Sequence, residues 1–192
     1  MSARTVWASI GVGLALVVTA TAVATAPDSD GITAEFPVRG SIGDVLEARE
    51  LIVQATEIRL ADRLEVGYTD AGRTTTDGVW VVLDATITPR LEMTSIANAT
   101  ITIDGIHYQV SDILPRSVTF LSYGAGIPQH GSLVFELPKS ALSAPGAASA
   151  EIYFNYRIEP MLDTIPVVVV DLTALEVEPR AVIAAPYVAD SE

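Results

Sequence analysis

The sequence has no cysteine and only one lysine, Lys139. The lack of cysteine excludes disulfides, thiolate metal sites, cysteine catalysis and a lipid-modified cysteine anchor. Small exported domains commonly rely on disulfides, so a domain of this chain must be stable through its apolar core alone. The 166 residues after the apolar N-terminal segment are enough for a domain that buries sufficient apolar surface to be stable.

Basic residues of either kind are scarce. After the N-terminal segment, ten basic residues stand against 24 acidic ones, a formal charge of −14. So acidic a surface repels polyphosphate and argues against nucleic-acid binding, and it disfavours tight association with an anionic lipid surface. We interpret the charge as favouring solubility, with a bound cation or a cationic partner as the alternative.

One long apolar run is present, and it lies at the N-terminus. Residues 6–26 contain no charged side chain, and a helix of 21 residues reaches roughly 30 Å, the thickness of a hydrocarbon core. Arg4 precedes the run, and Asp28, Asp30 and Glu35 follow it. The positive-inside rule therefore predicts a cytoplasmic N-terminus and an external C-terminal part. Residues 22–26 contain two small-x-small cleavage sites, so residues 1–26 are either a signal peptide or a membrane anchor helix. The protein is then single-pass in the cell membrane, or secreted if the segment is cleaved.

The rest of the chain divides into three parts. Residues 27–40 are polar with two prolines and are predicted to be a linker. Residues 41–178 consist of short alternating apolar runs separated by Gly, Pro and Asp, and no helical period persists for more than about two turns. Residues 179–192 are predicted to be a flexible acidic tail, because Pro179 and Pro186 interrupt the alternation.

About eight segments show strand signals, and without intervening helices they predict an all-β, antiparallel sandwich. The clearest are Val79–Thr88, whose odd-numbered residues form an aliphatic core face, and a hairpin at Asp104-Gly105. Phe135, between Leu133 and Leu137 on one strand face, is predicted to be core. The predicted strands are Glu50–Leu60, Val79–Thr88, Thr100–Asp104, Ile106–Val110, Ser117–Ser122, Ser132–Leu137, Glu151–Ile158 and Val167–Leu172.

Residues 78–138 carry a familiar series of motifs: GVWVVLDATITP, then ATITIDGIHY, then GAGIPQHGSLVFELP. The series resembles the telokin-like, immunoglobulin-like domains of unknown function in exported and membrane-anchored proteins of Gram-positive, actinobacterial-type bacteria. The matching features are the strand Trp80–Ile87, the Asp104-Gly105 turn with Tyr108, and the strand ending at Pro138. The resemblance implies an immunoglobulin-like β-sandwich and export, and it implies no catalytic residue.

Catalytic, metal and cofactor motifs are absent from the sequence. There is no Gly-x-Ser-x-Gly elbow, no phosphate-binding loop and no dinucleotide glycine fingerprint. Two histidines and no cysteine argue against a structural zinc site. We therefore predict no enzyme activity, no metal and no cofactor. Two alternatives stay open: a hydrolase site built from His107, His130, Asp112 and Ser122, since triads are set by geometry, and a cation site at the acidic residues of the expected loop 61–77.

Trp80 and Val82 are the candidate partner-binding residues. Both point away from the aliphatic face of their strand, and an exposed tryptophan is typical of a binding hot spot. The alternative is that a loop or the chain end covers them. The predicted function is a non-enzymatic, extracytoplasmic binding or accessory module at the cell surface, with a protein partner at the membrane or envelope. A subunit of a larger membrane complex, such as a transporter, is the second hypothesis.

Overall fold

The computed structural model describes residues 35–68, 73–91, 98–114, 124–157 and 162–189, together with Thr19, Thr21, Ile96 and Ser117. Residues 35–192 belong to one compact unit and residues 1–34 to another. The predicted signal or anchor helix, residues 1–26, lies outside the described residues except for two threonines. None of the helices in the described part combines the length and apolar character that crossing a membrane requires.

The described residues form twelve strands in two sheets. In chain order the strands are β1 (Phe36–Gly40), β2 (Val45–Glu47), β3 (Leu51–Val66), β4 (Arg73–Pro89), β5 (Asn98–Ile103), β6 (Ile106–Gln109), β7 (Gln129–Leu137), β8 (Ala150–Asn155), β9 (Thr164–Val170), β10 (Val177–Glu178), β11 (Ala181–Ile183) and β12 (Tyr187–Val188). The five-stranded sheet has the order β1-β9-β8-β5-β6. The seven-stranded sheet follows β10-β3-β4-β7-β12, with β2 and β11 also paired to β3. Short 3-10 helices at Lys139–Ser143 and Pro145–Ser149 lead from β7 to β8.

The core lies between the sheets and follows the predicted alternation. The odd-numbered residues 79–87 of β4 are all buried in it, with alternate residues of β5, β7 and β8 facing them. Phe135 is fully buried there, which confirms its predicted core position. Val167 and Val168 are both fully buried, and β9 lies between β1 and β8, as its doubly apolar sequence predicts.

The hairpin between β5 and β6 forms where it was predicted. Ile103 pairs with Ile106, so the loop has only two residues, and both have positive φ: 48° at Asp104 and 76° at Gly105. Two positive φ angles define a type I′ turn, which matches the right-handed twist of the flanking strands. Asp and Gly are the residue types that adopt this conformation at low cost.

The predicted linker 27–40 is too long at its C-terminal end. Residues 36–40 form β1, which pairs in parallel with β9 from Phe36 opposite Thr164 to Gly40 opposite Val168. The apolar strand β9 would otherwise expose a row of unpaired backbone groups. Pro37 is tolerated because β1 is at the edge of the sheet. The domain therefore begins before residue 41.

The predicted flexible tail contains two short strands. Residues 181–183 form β11, parallel to β3, and residues 187–188 form β12, antiparallel to β7. Pro179 and Pro186 flank these strands and keep them short. Strands of two or three residues are too short to show a recognisable alternation pattern. The parallel pairs β1–β9, β10–β3 and β11–β3 are added to a sandwich whose long strands are antiparallel, as predicted.

Candidate functional site

The predicted partner-binding residues Trp80 and Val82 do not lie at the surface. Only 2% of Trp80 is exposed and none of Val82, although both are on the outer side of β4. β11 and the distal half of β3 cover them, forming a second, smaller core with Leu114 and Val134. The alternative, cover by the chain end, is what the structure shows.

The candidate hydrolase residues are not assembled into one site. His107 is in β6 of the five-stranded sheet, His130 is in β7 of the other sheet, and Asp112 is exposed beyond β6. Ser122 lies outside the described residues. On β7, the Ser132 hydroxyl donates directly to the Asp84 carboxylate, which also accepts from Arg59 Nη2 at 2.6 Å. No imidazole lies between this serine and its carboxylate, so the pair lacks the order of a triad.

Most of the acidic residues that suggested a cation site lie in strands and not in a loop. The expected loop 61–77 is largely a hairpin, in which Arg63–Glu65 of β3 pair with residues 73–75 of β4. Asp62 lies 3.8 Å from Lys139 Nζ, and Glu65 lies 3.2 Å from Arg180 Nη1. In the part of the chain that the structure describes, no three metal-ligating side chains come together. Asp70 is outside that part.

A polar groove of about 340 Å³ lies on the outer face of the five-stranded sheet. We call it the sheet groove. Its lining residues are all polar: Glu35, Thr100, Thr102, His107, Gln109, Tyr153 and Asn155. A smaller cavity of about 230 Å³ lies beneath residues 184–187 on the other sheet, but its polar groups bond mainly to one another or to the sheet.

Strand register assembles the sheet groove. Ile101, Ile152 and Phe154 are fully buried in the core, so their neighbours along β5 and β8 point outwards. Thr100 pairs with Gln109 on one side and with Tyr153 on the other, which forms a row across three strands. Thr102 and His107 form a second row, with Thr102 Oγ1 2.8 Å from His107 Nδ1.

A hydrogen-bonded chain fixes one wall of the sheet groove. Arg39 Nε donates to Glu151 Oε1 at 2.7 Å, and the Tyr153 hydroxyl donates to Glu151 Oε2. These bonds, from Arg39 first and then Tyr153, hold the pKa of Glu151 below its ordinary value. Burial and the hydrogen bond to Glu151 raise the pKa of Tyr153 to about 12. Tyr153 is therefore a neutral aromatic ring held in place by an ionised carboxylate.

Asn155 contributes the one buried acceptor of the groove that lacks a partner in the described part. Its Oδ1 is shielded from solvent and receives no hydrogen bond. Buried polar atoms are nearly always bonded, so an exception in a groove lining needs a cause. Alternation along β8 does place Tyr153 and Asn155 on the outer face. Their neighbours could not be identified from sequence, because β8 pairs with a strand some 50 residues earlier.

No protein-family model matches the chain, and no curated protein matches it in sequence. Solved structures with a similar chain course include an uncharacterised β-sandwich protein from Clostridium difficile 630, with 11% identity, a TM-score of 0.49, and 74% of this chain and 98% of that chain covered. The yjhA protein from Bacillus subtilis has 11% identity and a TM-score of 0.45, covering 67% and 98%. MPT63, a secreted protein from Mycobacterium tuberculosis, has 17% identity and a TM-score of 0.47, covering 69% and 98%. Similarity this low transfers no site and no activity.

Proposed function

We propose that the chain is a non-enzymatic binding module, exported and held at the outer face of the cell membrane, and that the sheet groove is its ligand site. The observation that carries the proposal is the groove itself. Seven polar side chains converge on a concave sheet face, one of them with a shielded acceptor that lacks a partner in the described part. A concavity in which a few polar groups converge on an aromatic or apolar surface is the default candidate for a ligand site, and the groove combines such groups with the ring of Tyr153.

The proposed location rests on the N-terminal sequence. Residues 6–26 are long enough to cross a membrane, Arg4 precedes them, and the following part carries a formal charge of −14. The proposed immunoglobulin-like family rests on the motifs of residues 78–138. Trp80–Ile87 lies within β4, the Asp104-Gly105 turn joins β5 to β6, and Pro138 directly follows β7.

The role is proposed as binding rather than catalysis because of how His107 is bonded. Its Nδ1 contacts the Thr102 hydroxyl, and no carboxylate of the described residues hydrogen-bonds this histidine. A hydroxyl and an imidazole without an orienting carboxylate lack the third member of a triad.

A sedimentation assay with isolated cell envelopes tests the proposal. Full-length protein in detergent is mixed with envelope fragments, and the bound fraction is measured after centrifugation. We expect the wild type to sediment and Gln109→Ala, which truncates an exposed groove side chain on β6, to weaken binding about tenfold or more. Thr75→Ala is the matched control, since Thr75 is an exposed strand residue of the other sheet.

Two results would reject the proposal. Equal sedimentation of Gln109→Ala and the wild type, at matched melting temperatures, would move the site away from the groove. A wild-type protein that stays in the supernatant would leave the chain without an envelope ligand.

A further inference from the structure

We infer that the sheet groove binds a neutral saccharide chain; this inference rests on the proposed function and names its ligand class. The first argument is the chemistry of the lining. Gln109 and Asn155 supply amides, and Thr100 and Thr102 supply hydroxyls, so these four side chains can both donate and accept hydrogen bonds. Sugar hydroxyls have the same dual character, and a mixed lining of this kind can satisfy them on several sides.

The second argument is spacing. The row Gln109–Thr100–Tyr153 runs across three neighbouring strands, which lie about 4.8 Å apart. The row of His107 and Thr102 is displaced from it by two residues, about 7 Å along the strands. The groove thus offers a two-dimensional array of polar groups, which fits a ligand with hydroxyls distributed around a ring.

The third argument is the tyrosine ring. Tyr153 lines the groove, and its hydroxyl is already engaged by Glu151, which Arg39 holds in turn. The side chain is therefore preorganised, and its remaining contribution is the apolar surface of the ring. Sugar rings present C–H faces as well as hydroxyls, so a fixed aromatic ring beside amides and hydroxyls meets both parts of such a ligand.

The fourth argument is charge. Among the described residues that line the groove, Glu35 is the only carboxylate and none is a lysine or arginine; Arg39, next to one wall, is already paired with Glu151. The surrounding domain is strongly acidic. A phosphorylated or carboxylated polymer would be repelled without a cationic group to receive it, so the neutral class is favoured.

The test is a glycan array carrying neutral, carboxylated and phosphorylated oligosaccharides, probed with the full-length protein in detergent. We expect binding to neutral oligosaccharides, with an affinity that added NaCl hardly changes, because no ion pair is involved. Asn155→Leu, which removes the amide, and Tyr153→Ala, which removes the ring, should each weaken binding by about tenfold or more. Tyr153→Phe keeps the ring and should lose much less than Tyr153→Ala, while Thr75→Ala again serves as the control.

The outcomes separate this inference from the proposed function. Salt-sensitive binding restricted to carboxylated or phosphorylated glycans would overturn the neutral class. No binding on the array, together with envelope sedimentation that depends on Gln109, would overturn the saccharide and leave the envelope-binding module intact. Failure of both assays would overturn both. Melting temperatures of all variants establish that any loss is one of binding and not of folding.

Discussion

Trp80 is on the outer side of β4, yet Ala181 and Ile183 of β11 pack over that side. As a result, only 2% of Trp80 is exposed. We therefore expect Trp80→Ala to lower the free energy of unfolding by about 3–5 kcal/mol, the usual cost of emptying a buried aromatic site. Urea denaturation of the wild type and the variant measures this difference.

Trp80→Phe is the matched control. The indole Nε1 is buried without a hydrogen-bond partner in the described structure, so losing its N–H costs little, and the phenyl ring refills much of the site. We expect Trp80→Phe to cost clearly less than Trp80→Ala. A loss below about 1 kcal/mol for Trp80→Ala would show that the C-terminal strands do not cover it in solution.

Phe135 has the same expected cost for a different reason. It is fully buried on the inner face of β7, between Leu133 and Leu137. Phe135→Ala should lower the free energy of unfolding by about 3–5 kcal/mol, again by urea denaturation. Phe135→Leu keeps most of the volume and should cost much less. Equal losses for the two variants would contradict close packing at this position.

Because of Asp163, the folding stability of the protein should decrease at acidic pH. Burial disfavours its charged form, but hydrogen bonds from the Tyr156 hydroxyl and the Thr164 N–H outweigh burial and lower the pKa. A lowered folded-state pKa gives stability that is complete above the unfolded pKa and is lost as pH falls through the folded one. The melting temperature should therefore fall as the pH is lowered below the ordinary Asp pKa of about 4. Asp163→Asn should start lower at neutral pH and show a flatter profile; an unchanged slope would contradict the linkage.

The C-terminal strands β11 and β12 should stabilise the fold. β11 pairs with β3 and β12 with β7, and Leu64 and Trp80 are buried beneath this segment. Ending the chain after Glu178 should lower the melting temperature by many degrees, because a row of backbone pairs and an apolar cluster lose their cover. Ending it after Ala189, beyond β12, is the control. Similar melting temperatures for the two truncations would mean that β11 and β12 do not stabilise the fold.

The difference between long strands with local sequence signals and short strands determined by distant partners explains which parts of the fold the sequence could predict. β4, β7 and the β5–β6 hairpin carry local signals: period-two alternation and a turn dipeptide. β1 and β11 have no such signal, because they are short, with five and three residue pairs, and each is determined by a distant partner, β9 or β3. The error at Trp80 has this origin. Alternation correctly placed its side chain outwards, but only the position of β11 decides whether that side faces water.

The sheet groove was beyond prediction for a related reason. All lining residues except Glu35 are ordinary polar positions of strands, and nothing at Thr100 or Tyr153 alone indicates a ligand. The site arises from the order β8-β5-β6, which brings together two chain segments separated by a loop, a long strand and two 3-10 helices. The residues that line the sheet groove can be identified only when the register of β8, β5 and β6 is known.

The charges that flank the N-terminal apolar segment predict the side of the membrane on which the sandwich lies. The N-terminal 26 residues carry one charged side chain, Arg4, while the following part carries a formal charge of −14. Arg4 lies before the apolar segment, and the first basic residue after it is Arg39, so the positive-inside rule favours retention of the N-terminus in the cytoplasm. This predicts an external domain, whether or not the segment is later cleaved.

Protease treatment of intact cells tests this orientation. Protease added to wall-stripped cells should degrade the sandwich while a cytoplasmic marker protein survives, because only external chains are accessible. Moving positive charge to the other flank, by Asp28→Arg with Asp30→Arg and Arg4→Glu, should increase the protected fraction, since the positive-inside rule would then oppose export. Washing the membranes at high pH distinguishes an anchor, which stays with the lipid, from a cleaved signal, which releases the domain into the medium. A wild-type domain that resists protease until the membrane is lysed would place the sandwich in the cytoplasm, and the envelope-binding function would then have no accessible ligand.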